Sequence, residues 1–299
     1  MHDKKTVIQN ITYMAIMAAI NVIFSVLAMF LPLASLVLML VLPLTSVIVV
    51  LFCKEKYFII YAVSTILLCL LITMSDAQTT IFYVIPSIVS GFVFGWLIKQ
   101  KIHAAFIMII SAAVQLGITY ASLPLIQWIY GVNMIEVFKT LLHLTAHPYI
   151  NGIIPTFFFI LALAQATFSF IIIHAEIKKF GITVNSDEKI FSQLALCGLE
   201  SGILVVISAT FSIVIPYLLF LVYVFFSLFA VIDVLKINRR ALRIVLGLSL
   251  VINLFLFAIL YNLLIPPLGL LLLGLFLLPA DALSLCNKYL LKPSKVDRI

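Results

Sequence analysis

Residues 217–235 read YLLFLVYVFFSLFAVIDVL and are followed at once by KINRRALR at 236–243. An α-helix needs about 20 mostly apolar residues to cross the hydrocarbon core of a bilayer. The first stretch has this length, and its single charged residue, Asp233, lies near its end. Basic residues directly after such a run are typical of the cytoplasmic end of a membrane helix. The sequence therefore predicts a transmembrane helix over 217–235.

The whole chain repeats this pattern. Of its 299 residues 65% are hydrophobic and 10% are charged, and the mean hydropathy is +1.30. A soluble domain has about 45–50% apolar and about 25% charged residues. Backbone groups in lipid must be paired internally, so only helices or a closed barrel can span a membrane. Barrel strands alternate apolar and polar residues, whereas these runs are continuous. The predicted fold class is an all-α, polytopic transmembrane helix bundle.

Charged residues, prolines and polar turns divide the apolar runs into about ten predicted spans. The divisions at Pro32, at Pro216 and at Pro266-Pro267 are also compatible with kinks inside tilted helices, so the count ranges from eight to ten. The predicted spans are 8–30, 34–52, 57–74, 80–98, 102–120, 151–174, 191–213, 217–235, 242–263 and 267–286.

The distribution of lysine and arginine predicts the orientation of these spans. With ten spans and a cytoplasmic N-terminus, 17 of the 18 basic residues fall in cytoplasmic segments and Lys139 does not. Cytoplasmic loops are enriched in Lys and Arg, so both termini are predicted to be cytoplasmic in a multi-pass protein of the cell membrane. The cytoplasmic basic residues are Lys4, Lys5, Lys54, Lys56, Lys99, Lys101, Lys178, Lys179, Lys189, Lys236, Arg239, Arg240, Arg243, Lys288, Lys292, Lys295 and Arg298.

The net charge of +7 does not indicate a nucleic-acid-binding protein. The basic residues are spread between apolar runs and do not form one basic face. The lipid bilayer is the expected partner, and no nucleic acid is expected.

A mixed-charge segment at 175–190 is predicted to be a cytoplasmic loop. It divides a single integral membrane domain, 1–299, into two helical halves, 1–174 and 191–299.

A longer segment, 121–150, is predicted to lie outside the membrane. Within it Glu136, His143 and His147 share one face of an amphipathic helix, a pattern suited to the membrane interface. Histidines four residues apart can bind a metal, but two histidines and a carboxylate on an interfacial helix are more typical of a solvated face. No metal site and no cofactor are therefore expected.

Several polar residues lie inside predicted spans, where each costs free energy unless it is paired or hydrated. Glu200 lies about nine residues into its span, roughly 14 Å deep at 1.5 Å per residue. We expect Glu200, Asn253, Asp281 and Gln165 to form one polar cluster that binds a substrate or ion. The alternative is that they only form hydrogen bonds between helices. Gln115, near the outer end of its span, is expected to line an external pocket.

Small residues mark packing faces. Ala15 and Ala19 form AxxxA in the first span, and Gly91 and Gly95 form GxxxG in the fourth. Such pairs let helix backbones approach closely, either within this chain or at a partner interface.

These residues carry a family resemblance. The first half reads AIMAA at 15–19 and PSIVSGFVFG at 86–95. It resembles the substrate-binding S components of energy-coupling factor (ECF) transporters, and more closely the YybS-like family of bacterial membrane proteins. The resemblance implies that Ala15 and Ala19 contact a transmembrane coupling subunit. S components usually have about six spans, and this chain has several more.

The sequence thus predicts a transport protein and no enzyme, since no GxxxxGK[ST], HExxH or GxSxG motif is present. The leading hypothesis is an S-component-like protein that captures a small-molecule solute from outside and relies on a coupling subunit and partner ATPases for energy. One alternative is a stand-alone secondary transporter in which Glu200 carries a proton or binds a cation. The other is a non-transporting scaffold that helps to assemble other membrane proteins.

Overall fold

The computed structural model is helical throughout the parts that it describes. These parts are residues 6–30, 32–74, 77–141, 150–179, 181–212, 214–236, 240–263, 272 and 275–289. They contain no β-strand, and their one isolated backbone bridge pairs His103 with Asn185.

The helices of eight or more residues in the described parts are labelled in chain order. They are α1 (Val7–Phe30), α2 (Pro32–Phe52), α3 (Phe58–Ile72), α4 (Ile85–Lys99), α5 (Ala104–Tyr130), α6 (Met134–Leu141), α7 (Ile150–Lys178), α8 (Phe191–Ser208), α9 (Val214–Lys236), α10 (Arg240–Leu263) and α11 (Leu278–Tyr289). A π-helical turn, Thr80–Val84, leads directly into α4.

Seven stretches in the described parts are long and apolar enough to cross a membrane. They belong to α1, to α3 with the short turn before it, to α4 with its π-helical turn, and to α5, α7, α8 and α9. Shorter apolar stretches occur in α2 (Val41–Phe52) and α10 (Leu242–Leu256). Each of the first nine predicted spans coincides with a helix. Of the tenth, 267–286, much lies outside the described residues, and its last part is in α11.

The helix predicted at 102–120 is longer in the structure than the sequence indicated. Helix α5 continues through Pro124 to Tyr130. Proline removes one backbone donor, and an apolar helix can tolerate that loss. The helix ends at Gly131, whose φ of 69° is left-handed and whose N–H donates to the Gln127 carbonyl. This backbone conformation is one that glycine adopts without strain.

The predicted amphipathic helix begins after this turn, as α6. The Asn133 side-chain oxygen accepts hydrogen bonds from the N–H groups of Ile135 and Glu136, at 3.1 and 3.3 Å, and so caps the helix. Lys139 forms an ion pair with Glu136 at 2.6 Å on the exposed side. His143 and His147 lie outside the described residues.

The chain divides into two compact units, and the boundary between Ser186 and Asp187 lies within the segment 175–190. Unit 1 comprises Met1–Thr145 and Phe158–Ser186, and unit 2 comprises Ala146–Phe157 and Asp187–Ile299. Helix α7 runs on to Lys178, so the first part of the predicted loop 175–190 is helical.

In unit 1, helix α4 packs closely on α2 through the predicted GxxxG pair. An ideal Cβ at Gly91 would lie 2.5 Å from the Pro43 carbonyl oxygen, and one at Gly95 would lie 2.9 Å from Val50 Cβ. The two glycines therefore form a helix–helix contact inside unit 1.

A buried hydrogen-bond network joins α1, α2 and α3 in unit 1. The Tyr61 hydroxyl accepts a hydrogen bond from Asn21 Nδ2 at 3.0 Å and donates one to Thr45 Oγ1 at 3.1 Å. Thr45 Oγ1 also donates to Asn21 Oδ1 at 2.8 Å. All three side chains are buried, so the network fixes the relative positions of these helices.

In unit 2, helices α8 and α9 pack along each other and α11 packs against both. The small residues Ala195, Ala230 and Ala280 are fully buried where these helices meet. Their small side chains let the three helices approach closely.

Candidate functional site: two buried polar clusters

Unit 1 contains a small pocket with uncharged polar walls. Its polar side chains come from α4, α5 and α7. Its volume, counted as the space open to the centre of a water molecule, is about 10 Å³. That is near the minimum for one water molecule. The pocket is lined by Pro43, Ser90, Phe94, Ser111, Gln115, Ala162, Gln165, Ala166 and Ser169.

Gln165 is held in this pocket by α4. Its Nε2 donates a hydrogen bond to Ser87 Oγ at 3.0 Å, and its side chain is 4% exposed. Ser87 comes one residue after Pro86, at the start of α4, where the π-helical turn ends. The amide orientation of Gln165 is therefore set by a contact between α4 and α7.

Gln115 and Ser111 supply unsatisfied polar atoms to the same pocket. They lie four residues apart on one face of α5 and are 7% and 2% exposed. Gln115 Oε1 and Ser111 Oγ have no hydrogen-bond partner among the described residues. A buried polar atom without a partner costs about 1–3 kcal/mol. The pocket thus offers the acceptor Gln115 Oε1 and the hydroxyl group of Ser111 to a ligand that can form hydrogen bonds.

Unit 2 contains the second cluster, around Asp281 on α11. Asp281 is 0% exposed, and its Oδ2 accepts a hydrogen bond from Ser227 Oγ on α9 at 2.8 Å. An ideal Cβ at Gly198 on α8 would lie 2.8 Å from Asp281 Oδ1 and 2.9 Å from Ser227 Oγ. Glycine at 198 therefore leaves room for the carboxyl group between the three helices.

Two further polar side chains form hydrogen bonds with the backbone just before α11. The Tyr223 hydroxyl accepts a hydrogen bond from the N–H of Leu277 at 2.8 Å. Asn253 Nδ2 donates to the carbonyl oxygen of Phe276 at 3.3 Å. Both contacts satisfy backbone groups next to a helix start, where an unpaired backbone group would be costly.

Glu200 does not belong to this cluster, and the prediction that it would is wrong. Its side chain is exposed on α8, on the side that also exposes Leu196, Ile203 and Leu204, whereas Gly198 and Ser201 lie on the buried side. Residue 200 is two positions from Gly198, about 200° around a helix of 3.6 residues per turn. Burial of Gly198 therefore directs Glu200 outward.

The structure places the other predicted site residues in two separate groups, one in each unit. Gln165 lies in unit 1, where it shares a pocket with Gln115, which the sequence assigned to a separate external site. Asp281 and Asn253 both lie in unit 2. Ser227 was missed, and the one available signal for it was a hydroxyl within the long apolar run 217–235.

The AxxxA pair lies on an exposed face of α1, since Ala15 and Ala19 are both exposed. Ala15 lines a mostly apolar hollow formed by α1, α3 and the turn before α3. The hollow has a volume of about 250 Å³, counted as the space open to the centre of a water molecule. The other lining residues are Ile11, Met14, Tyr57, Ile60, Tyr61 and Ser64.

A metal centre has no support in the described residues, which bring no three His, Cys, Asp or Glu side chains together. His143 and His147 lie outside those residues.

No protein-family model matches this sequence, and no curated protein or solved structure matches it significantly. The function is therefore argued from the two clusters and from the exposed face of α1.

Proposed function

We propose that this chain is a multi-pass protein of the cell membrane with about ten spans and both termini in the cytoplasm. Seven stretches of membrane-spanning length and the apolar exposed side chains along α1, α3 and α8 support a bilayer environment. The distribution of Lys and Arg supports the orientation.

Within the membrane the protein acts in transport, as an S-component-like subunit that captures a small solute from outside. The observation that carries this proposal is the pocket of unit 1, where Gln115 Oε1 and Ser111 Oγ are buried without partners. Buried polar atoms without a partner are uncommon in folded proteins, and a site for bound water, an ion or a ligand is one reason for them. A polar pocket therefore favours transport over the scaffold alternative.

The pocket also restricts the class of solute. Its described polar lining consists of serine hydroxyls and glutamine amides, without a charged side chain. It suits an uncharged polar solute that donates hydrogen bonds to Gln115 Oε1. Because the space now fits about one water molecule, α5 and α7 must separate when a larger solute binds.

The six long helices of unit 1 are compatible with the S-component proposal. Helices α1 to α5 and most of α7 belong to this unit, and S components usually have about six spans. The short helix α6 also lies in unit 1, and helices α8 to α11 lie in unit 2. Energy comes from partner ATPases through a transmembrane coupling subunit.

Replacing Gln115 by leucine is expected to abolish solute capture, because it removes the unpartnered acceptor while keeping the side-chain size. The protein is purified from native membranes, and the small molecules retained by it are compared by mass spectrometry. A solute enriched with the wild type should fall at least about tenfold in Gln115→Leu, the effect of losing one buried hydrogen bond. Gln127→Leu, an exposed position on the same helix, is the matched control and should retain it. Equal retention by both variants would contradict the proposal.

Docking of the coupling subunit is expected to need the small side chain of Ala15 on the exposed face of α1. Ala15→Trp places a large ring in the hollow between α1 and α3 and should remove the coupling subunit and ATPases from the co-purified complex. Ile16→Trp, at an exposed neighbouring position outside the lining of the hollow, should not. Isolation of the wild-type protein without any such partner, under conditions that preserve membrane complexes, would refute this docking.

A further inference from the structure

Asp281, in unit 2, has a carboxyl group whose surroundings do not stabilise its ionised form. Its carboxyl group is fully buried, and Ser227 provides one hydrogen bond to Oδ2, while Oδ1 has no partner among the described residues. Burying an ionised carboxylate costs several kcal/mol unless it is paired with a cation or fully hydrogen-bonded. A neutral carboxylic acid avoids most of this cost.

A compensating cation does not accompany this carboxyl group in the described part of the chain. None of the ion pairs there involves Asp281. Among the titratable groups on the helices that pack against α11, Tyr223 lines the same cavity as Asp281. On α8, Cys197 is half-buried and Glu200 is exposed, and on α10 Arg243 is exposed.

Asp233 on α9 is engaged elsewhere in unit 2. Its Oδ2 accepts a hydrogen bond from Ser284 Oγ on α11 at 2.6 Å. Cys286, also on α11, is exposed. The immediate surroundings of Asp281 are therefore apolar apart from Ser227 and Tyr223.

A small cavity reaches this site. Its volume for the centres of water-sized molecules is about 40 Å³, and its lining consists of Asp281, Tyr223 and six apolar or glycine residues of α8, α11 and the chain before α11. This space is enough for one water molecule. Hard metal cations need about six or more oxygen ligands, and this lining has two oxygen-bearing side chains. The cavity suits a water molecule and a proton better than a metal ion.

We propose that Asp281 is a buried site that binds and releases a proton through water in this cavity. On binding, a hydronium ion in the cavity transfers its proton to Oδ1, a new O–H bond forms there, and neutral water remains. On release, that O–H bond breaks and the proton returns to water. Ser227 donates its hydrogen bond to Oδ2 in both states.

The closed packing controls access to the proton. Asp281 lines the cavity but is 0% exposed, so the surrounding side chains must shift before water there exchanges a proton with the carboxyl group. Buried acidic residues in membrane bundles are typical of proton relays. The site lies in unit 2 and does not depend on the solute pocket of unit 1. It assigns the proton-carrying role to Asp281, and not to Glu200, if the protein couples transport to a proton gradient.

Infrared difference spectroscopy tests the proposal on the full-length protein in lipid vesicles. Between acidic and alkaline pH, the wild type should lose a carbonyl stretching band of a neutral carboxylic acid. This band should be absent from Asp281→Asn, which keeps the shape of the side chain. It should persist in Asp233→Asn, the matched control in the same unit. Persistence of the full band in Asp281→Asn, or a band that does not change with pH, would overturn the proposal.

Ser227→Ala gives an independent test if Asp281→Asn does not accumulate. Removing the hydroxyl takes away the hydrogen bond to Oδ2 and should shift the frequency of the same band without abolishing it. An unshifted band would mean that another carboxyl group is responsible and would equally overturn the assignment. Neither measurement requires a solute, so failure here is distinct from failure of solute capture.

Discussion

Gly91→Ala is expected to reduce the amount of folded protein severely, since the added methyl group has no space. The new Cβ would lie 2.5 Å from the Pro43 carbonyl oxygen and 2.7 Å from Ser46 Cβ. A backbone carbonyl cannot rotate away as a flexible side chain can, so α2 and α4 must move apart. Inserting a methyl group into a packed core typically costs about 1–3 kcal/mol, and we expect a cost of about 3 kcal/mol here. Thermal unfolding of the detergent-solubilised protein measures it.

Gly117→Ala is the matched control for this substitution. Gly117 lies in α5 and no heavy atom comes within 4 Å of its ideal Cβ. Because alanine favours helix by about 1 kcal/mol over glycine, this variant should be as stable as the wild type or slightly more stable. Equal stability of Gly91→Ala and Gly117→Ala would show that α2 and α4 are not packed as described.

Tyr61→Ala is expected to be the other strongly destabilising substitution. The side chain is 1% exposed, and its ring lies 5.6 Å from that of Phe58. Removing a buried aromatic side chain typically costs about 3–5 kcal/mol. The variant also removes the hydroxyl that links Asn21 to Thr45. The rate of thiol labelling of the buried Cys69, which rises when unit 1 opens, measures the effect in vesicles.

Tyr61→Phe separates the hydroxyl from the ring. An interhelical hydrogen bond in a membrane contributes about 0.6–2 kcal/mol, so this variant should lose roughly a third of what Tyr61→Ala loses. Tyr130→Ala, at the exposed end of α5, is the control and should label like the wild type. If Tyr61→Phe is as unstable as Tyr61→Ala, the network and not the packing of the ring stabilises this part of unit 1.

The helices were predictable because membrane-spanning length and hydropathy are local properties of the sequence. Each apolar run from 8–30 to 242–263 coincides with a helix. The predicted helix end at residue 120 was too early because Pro124 and the polar residues after it were assigned to the external segment 121–150. The helix instead continues to Gly131, whose left-handed backbone ends it.

The candidate sites were less predictable because depth in a membrane does not specify the direction of a side chain. Glu200 and Asp281 are both acidic residues inside apolar runs, yet Glu200 is exposed and Asp281 is fully buried. The difference depends on which face of α8 meets α9 and α11. Gly198 determines that face by leaving room for the Asp281 carboxyl group. Such a contact joins residues far apart in the chain and has no local signal.

The sequence by itself therefore determined the helical class, the approximate positions and order of the helices and the presence of a few polar residues inside them. Those features follow from composition and from the periodic backbone of the helix. The tertiary structure alone decided that Gln115 and Gln165 share one pocket, that Asp281 meets Ser227 and Gly198, and that Ala15 and Ala19 stay exposed. These features depend on how each helix is rotated about its axis. Close packing between distant segments sets that rotation, and hydropathy does not.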